Sequence, residues 1–280
     1  MNNNFGSFLQ TVGGNEGIKC KYPTRLDTYG CGYSHDCSYC YAKSLLSFRK
    51  MWNPDKPKVA SAFDIASALR KVPRTTVLRL GGMTDCFQPI EKLKRSTYNT
   101  LYMLNKRRQP YLIVTKSDLV ADPEYMERLD KDLAHIQITI TTTDDDLSLT
   151  YEKATVPSNR IKAIARLFSA GFDVQVRLSP YIEQNVDIGQ INDIPCDKII
   201  VEFLRVNHWI KKWFDLDYSK WTHTENGYQH LPLEEKVRML EKIRFKEISV
   251  CEDCTDHYAY WRDHVNHNPD DCCNLRISGE

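Results

Sequence analysis

Residues 29–43 read Tyr29-Gly30-Cys31-Gly32-Tyr33-Ser34-His35-Asp36-Cys37-Ser38-Tyr39-Cys40-Tyr41-Ala42-Lys43. Five residues separate the first two cysteines and two separate the second pair. Three thiolates on one loop can hold three irons of a [4Fe–4S] cube, whose full ligation takes four cysteines. The fourth iron then keeps an open coordination position. A structural zinc loop is the competing reading, because zinc also takes three or four cysteines at short spacing.

Away from this loop the chain alternates β-rich runs with helical stretches. Strands are expected at Thr76–Leu80, Tyr111–Thr115, Ile136–Thr141, Phe172–Leu178 and Lys198–Leu204, with one more before Cys31. Helices are expected at Lys92–Lys106, at Pro123–Leu133 behind an Asp122 cap, at Ser158–Ala170 ending on Gly171, and at Pro232–Phe245. Strands alternating with helices of that length build βαβ units and a parallel sheet. The expected fold is α/β, a partial (β/α) barrel, with its chemistry at the C-terminal strand ends. The barrel is expected over residues 1–206. Beyond Asn207 the pattern changes to tryptophans in polar sequence and then to late cysteines, so residues 207–280 read as a cysteine-rich C-terminal extension packed on the barrel.

Composition narrows the classes. The 280 residues are 41% hydrophobic and 11% aromatic, which suffices for a full core and excludes general disorder. Lys+Arg 38 against Asp+Glu 37 leaves a net charge of +1, without the strong positive charge of a dedicated nucleic-acid binder. No apolar run approaches the length of a membrane span, and Met1–Gln10 has neither the basic nor the apolar region of a secretion signal. A cytoplasmic protein is therefore expected. In that setting ten cysteines, concentrated near both ends of the chain, point to metal or iron–sulfur sites rather than disulfides.

Cys37-Ser38-Tyr39-Cys40-Tyr41-Ala42 resembles the cluster loop of radical S-adenosylmethionine enzymes, with the usual aromatic, Tyr39, before the last cysteine. The family's common spacing has three residues between the first two cysteines, against five here, and Cys20 is the fallback for Cys31. Leu80–Glu91, which contains Gly81-Gly82-Met83-Thr84-Asp85-Cys86, resembles the second-strand segment of the spore photoproduct lyase-like branch. Ile113–Ser117, Ile138–Thr141 and Val176–Pro180 resemble its following strand ends, so the likeness runs in order through roughly residues 20–205. It implies a [4Fe–4S] cluster on Cys31, Cys37 and Cys40. It also implies S-adenosylmethionine on the open iron, and an external one-electron reductant such as flavodoxin or ferredoxin. Reductive cleavage of the cofactor would then start hydrogen abstraction, the radical chemistry being the cofactor's own.

The residues themselves carry parallel readings. Gly81 and Gly82 allow close backbone approach where the cofactor's amino group would lie, and they also suit an ordinary βα turn. Lys116 can place its ammonium on a carboxylate. Thr139 and Thr141 share one face of an alternating strand, where their hydroxyls suit a ribose or carboxylate and β-propensity explains them equally well. Arg177 needs a partner if buried, and Glu202 poses the same question. Tyr39 and Thr84 complete the expected cofactor-binding set. Cys86 and Asp85 are the catalytic candidates, since photoproduct lyases carry a hydrogen-donating cysteine near this strand end. Free cysteine is also a common buried small hydrophobe.

Cys251, Cys254, Cys272 and Cys273 offer a second [4Fe–4S] cluster or a zinc site, with one of the adjacent pair a spare and His257, His264 or His267 as substitute ligands. Cys20 and Cys196 read as structural. Similarity to photoproduct lyases suggests a pyrimidine in DNA or a nucleotide as substrate. Basic groups at Lys92, Lys94, Arg95, Lys106, Arg107, Arg108, Lys211 and Lys212, and tryptophans able to stack bases, suit a nucleic-acid partner. A peptide- or protein-modifying radical enzyme and a non-catalytic zinc or nucleic-acid-binding protein are the alternatives.

Overall fold

The computed structural model describes residues 7–32 and 34–276. Residues 1–6 of the Met1–Gln10 segment, and Tyr33 of the cysteine loop, lie outside the described residues.

The strands are β1 (Leu9–Thr11), β2 (Thr24–Leu26), β3 (Tyr29–Gly30), β4 (Lys58–Val59), β5 (Leu78–Leu80), β6 (Tyr111–Thr115), β7 (Ala134–Ile140), β8 (Asp173–Tyr181), β9 (Lys198–Phe203), β10 (His223–Glu225), β11 (Tyr228–His230) and β12 (Glu247–Val250). Eight of them form one sheet in the order β1-β2-β5-β6-β7-β8-β9-β12. Within it only β1 runs antiparallel to its neighbour; every other adjacent pair is parallel. The sheet curls into an open (β/α) barrel whose edges are β1 and β12. The strand expected before Cys31 is β2. The barrel does not end at residue 206, however: β12, from the segment expected to be an extension, supplies its last parallel strand.

Strand alternation sets two faces with different chemistry. Leu78, Leu80, Tyr111, Ile113, Ile136, Ile138, Val176, Leu178, Ile199 and Val201 are buried in the main apolar core. The opposite face carries Arg79 opposite Leu112, Gln137 opposite Gln175, Arg177 between Thr139 and Ile200, and Glu202. That interior is largely a hydrogen-bonded polar ladder: Gln137 Nε2 donates to Gln175 Oε1 at 2.9 Å and Arg177 Nη1 to Gln137 Oε1 at 3.0 Å. Buried polar groups need such partners, which is why these residues line up by register.

The crossover helices carry the expected local signals. Ser61 and Asp64 form a reciprocal capping box on Ala62–Leu69, and Pro157 opens Pro157–Ser169. The stretch expected as one helix over Lys92–Lys106 is two, Glu91–Lys94 and Ser96–Arg107, because Arg95 adopts a left-handed conformation at φ 54°. Glu91 is fully buried there and accepts from the Thr97 and Tyr98 amides at 2.9 Å each, which fixes the break.

The tail closes the opposite end of the barrel. Lys198 donates to the Asn274 carbonyl at 2.6 Å, the Arg276 amide to Asp173 at 3.1 Å, and Tyr22 to Asp271 at 2.6 Å. Burial opposes ionisation of Asp173, but the His135 hydrogen bond and the Lys198 ammonium hold its carboxyl well below the usual range.

Candidate functional site

The cysteine loop sits over the C-terminal strand ends. Its backbone is forced: Cys31 and Asp36 have φ of 62° and 41°, in the left-handed region unusual for residues with a side chain. Gly32 has φ 150°, and a Cβ there would meet the Asn53 carbonyl oxygen at 2.3 Å. Cys40 caps the helix Tyr41–Phe48, its sulfur accepting from the Lys43 amide at 3.4 Å.

The loop is seated on the segment 151–153. The Ser38 amide donates to the Tyr151 carbonyl at 2.9 Å, and the Lys153 amide to the His35 carbonyl at 2.7 Å. Between them Glu152 is buried with its carboxylate fully used. It accepts from Tyr39 and Arg160, from Thr141 at 3.0 Å, and from the Cys37 thiol at 3.8 Å. Arg160 is itself buried and also donates to the Thr139 carbonyl at 3.0 Å. Burial opposes the charge on Glu152, but Arg160 and then Lys116 reverse that and pull its carboxyl below the ordinary value. Burial pushes the Cys37 thiol up to about 12, against the opposing pull of Lys116.

Under the loop lies a cleft of about 730 Å³, part of it open to solvent. Of the expected residues, Cys40, Gly81, Gly82, Thr84, Asp85, Lys116, Thr139 and Arg177 line it. Gly81 has φ 86°, and a Cβ there would meet the Val114 carbonyl oxygen at 2.3 Å. At Gly82 a Cβ would collide with the Arg25 side chain at 1.9 Å. The Gly82 amide donates to Asp27 at 3.0 Å and its carbonyl accepts from Tyr41 at 2.9 Å, so the glycine turn is held from both sides. Burial raises the Asp27 carboxyl to about 6.

Other expected residues stand elsewhere. Thr141 is turned to Glu152 rather than into the cleft. Tyr39 lies at the seat of the loop, with the Lys116 ammonium 5.7 Å from its ring centre. Cys86 is fully buried and does not line the cleft. Asp85 reaches the wall, but its carboxylate accepts from Thr115 and the Lys116 amide at 2.7 Å each and from the Phe87 amide at 2.8 Å. It organises the strand end.

The structure adds His35, Arg79, Arg205, Ser179 and Cys251 to the lining. Arg177 pairs with Glu202 at 2.6 Å. Burial pushes the Glu202 carboxyl up, but Arg177 and Arg205 outweigh this and leave it at about 2. Arg79 Nε is buried without a hydrogen-bond partner among the described residues, an N–H that an anion in the cleft would satisfy. Arg79 was legible as the polar residue in TVLRL; Arg205 and Cys251 follow strands at their ends, where (β/α) barrels concentrate site residues.

The late cysteines divide. The Cys272 thiol contacts those of Cys251 and Cys273, and these contacts, with burial, raise it well above its ordinary value. Cys20, expected to be a structural thiol, lies within electrostatic reach of this group: burial raises it to about 11 against the opposing pull of Arg79, and Cys273 and Cys251 add to the rise. Cys254 points away to His223 Nε2, 3.2 Å distant, and Glu225 Oε2, at 2.8 Å. Proximity in sequence misleads here because Cys251 follows the end of β12 while Cys254 stands at the cap of the helix Thr255–His264.

The sequence model of the Radical SAM superfamily matches residues 27–187. An uncharacterized protein of Methanocaldococcus jannaschii is 28% identical over 167 residues, which are 58% of this chain and 61% of that protein. The chain thus matches about three-fifths of that relative's length. Among solved structures, a spore photoproduct lyase variant with bound AdoMet and dinucleoside spore photoproduct is similar in fold, with a TM-score of 0.59 at 16% identity, covering 84% of this chain and 78% of that one. Streptococcus suis SuiB bound to precursor peptide SuiA gives a TM-score of 0.54 at 15% identity, covering 84% of this chain and 50% of that one.

Proposed function

This chain belongs to the radical S-adenosylmethionine superfamily, and on that basis we propose that it cleaves S-adenosylmethionine reductively to start hydrogen abstraction on a pyrimidine in DNA or on a nucleotide. The family implies a [4Fe–4S] cluster and S-adenosylmethionine, and the donor set fits both. Cys31, Cys37 and Cys40 would hold three irons. The donors of a cube bind separate irons, so they need not converge as the ligands of one ion do. The buried Arg79 N–H and the Lys116 ammonium suit the cofactor's or substrate's anionic groups. When bound, the cluster and S-adenosylmethionine supply a one-electron cleavage of a carbon–sulfur bond.

The chain's own groups do the positioning. Tyr39, Glu152 and Arg160 keep the cysteine loop seated. Gly81 and Gly82 let the backbone approach the cofactor, with Thr84, Lys116, Thr139 and Arg177 around it. The observation that carries the reading is the cysteine loop on its Glu152–Arg160 seat, directly above a cleft walled by these strand ends. An external reductant such as flavodoxin or ferredoxin would deliver the electron. A second centre would draw on Cys251, Cys272 and Cys273 with Cys20, and without Cys254.

A nucleic-acid substrate is supported by the basic, aromatic rim beside the cysteine loop. Trp209 and Trp213 lie 5.5 Å apart, Lys43 sits 5.0 Å from the Trp213 ring centre, and Lys211 and Lys212 are exposed. Arg95 and Arg108, by contrast, are paired with Glu124 and Asp130 on the outer helices. No helix among the described residues is long and apolar enough to cross a membrane. The test is 5′-deoxyadenosine formation by the reduced, iron-loaded protein with and without DNA oligonucleotides. Stimulation by thymine-containing DNA supports the substrate reading. Stimulation by a peptide, with none by DNA or nucleotides, overturns it in favour of peptide modification.

A further inference from the structure

We propose that His223, Glu225, Cys254 and His257 form a zinc site, separate from the cleft and from the other late cysteines. The donors converge. Cys254 Sγ lies 3.2 Å from His223 Nε2 and 2.8 Å from Glu225 Oε2, and these last two atoms are 3.9 Å apart. The His223 and His257 rings lie 4.7 Å apart between centres, and His223, Cys254 and His257 each offer a donor atom within 4.8 Å of the other two. A tetrahedral zinc with ordinary Zn–N and Zn–S bonds holds its donors roughly 3.3–3.7 Å apart. His223, Cys254 and His257 therefore need only small shifts to enclose one ion, and Glu225, which also accepts from the Thr255 amide and hydroxyl, would turn Oε2 onto it as the fourth donor.

The donor chemistry selects the metal. One thiolate, two imidazoles and one carboxylate suit zinc, whereas calcium and magnesium require oxygen shells. Cys254 and His257 are buried, and His223 and Glu225 form the partly exposed outer side. With four protein donors the site is closed, which is the structural rather than the catalytic form. Neighbouring acids are already committed, Asp253 to Arg205 at 2.6 Å and Glu252 to Lys236. Glu252 Oε2 lies 3.8 Å from His257 Nδ1, the place of the outer carboxylate that orients a metal-bound imidazole. Lys236 stands 3.0 Å from the same nitrogen, so the loaded form has Lys236 turned wholly onto Glu252.

The site would tie the β10–β11 hairpin to the start of the helix Thr255–His264. Asp253 precedes Cys254 directly and carries Arg205, which lines the cleft. Zinc here would therefore set the position of a cleft arginine without touching substrate.

The test uses the full-length, iron-loaded protein, with metal content measured and cobalt exchanged for zinc. The expected result is about one zinc per chain and, with cobalt, tetrahedral d–d bands plus a thiolate-to-cobalt charge-transfer band. His223→Ala, on the exposed side, and Cys254→Ser should each lose the zinc, and Cys254→Ser the charge-transfer band, with iron content unchanged. Glu252→Gln should weaken zinc binding roughly 10–100-fold. Cys272→Ser should leave the zinc in place. Zinc content and cobalt spectrum unmoved by either His223→Ala or Cys254→Ser overturn the proposal, as does loss of iron in place of zinc from Cys254→Ser. Far-ultraviolet circular dichroism identifies a Cys254→Ser chain that fails to fold, and the zinc content of His223→Ala then decides between the two outcomes.

Discussion

Glu152 is the residue on which the loop's position turns. Its carboxylate is buried against buried Arg160 and accepts from Tyr39, Thr141 and Cys37. Removing one partner of such a pair leaves an uncompensated charge in the interior, at a cost of about 3–5 kcal/mol. Glu152→Gln should therefore lower the denaturation midpoint at neutral pH and reduce the iron retained after reconstitution. The folded carboxyl lies below its ordinary value near 4.5, so its contribution is complete above that value and fades as pH falls through the lower folded one. The stability gap between wild type and Glu152→Gln should narrow over that acid range, and a gap independent of pH would refute the assignment. Among single residues the sequence was unevenly legible. The three early cysteines, the glycine pair and Lys116 announce themselves by spacing and by their place at strand ends. Glu152 has no such mark: it lies in Tyr151-Glu152-Lys153, where only the fold reveals that it faces inward.

Among the elements, β12 and the tail differ most from expectation. Glu-Ile-Ser-Val at 247–250 is four residues between polar segments, too short for periodicity to separate from a loop, yet it pairs with Lys198–Val201 in register. The longer strands β6 (Tyr111–Thr115) and β7 (Ala134–Ile140) were legible because their alternation or apolar run extends further. The helix expected over Lys92–Lys106 missed its break because Arg95 carries no helix-stopping chemistry; buried Glu91 imposes the turn. The tail closes the barrel by bonding Asn274 to Lys198, Arg276 to Asp173 and Asp271 to Tyr22. Truncation after Asn268 should expose Asp173 and Lys198 and lower the thermal midpoint by several degrees, as a loss of roughly 1–2 kcal/mol does in a domain this size. An unchanged midpoint would mean that the tail is not a barrel element.

For the whole molecule, an open barrel with a polar interior brings the cysteine loop, the glycine turn and the cleft arginines to one end. The tail seals the other. The near-neutral net charge of +1 conceals this arrangement, since the cleft gathers Arg79, Lys116, Arg177 and Arg205 against only Asp85 and Glu202 among the described residues. The barrel was legible from the βα alternation, whereas the division of the late cysteines was not, because it depends on which way each chain end folds. The proposed function stands on the early cysteines holding a cluster that cleaves S-adenosylmethionine. The direct measurement is 5′-deoxyadenosine and methionine formed from S-adenosylmethionine by the anaerobically reconstituted, reduced protein, alongside Cys40→Ala. Product from the wild type and none from Cys40→Ala is the predicted result. A fully iron-loaded, reduced wild type that forms none, or a Cys40→Ala variant that forms as much, would contradict it.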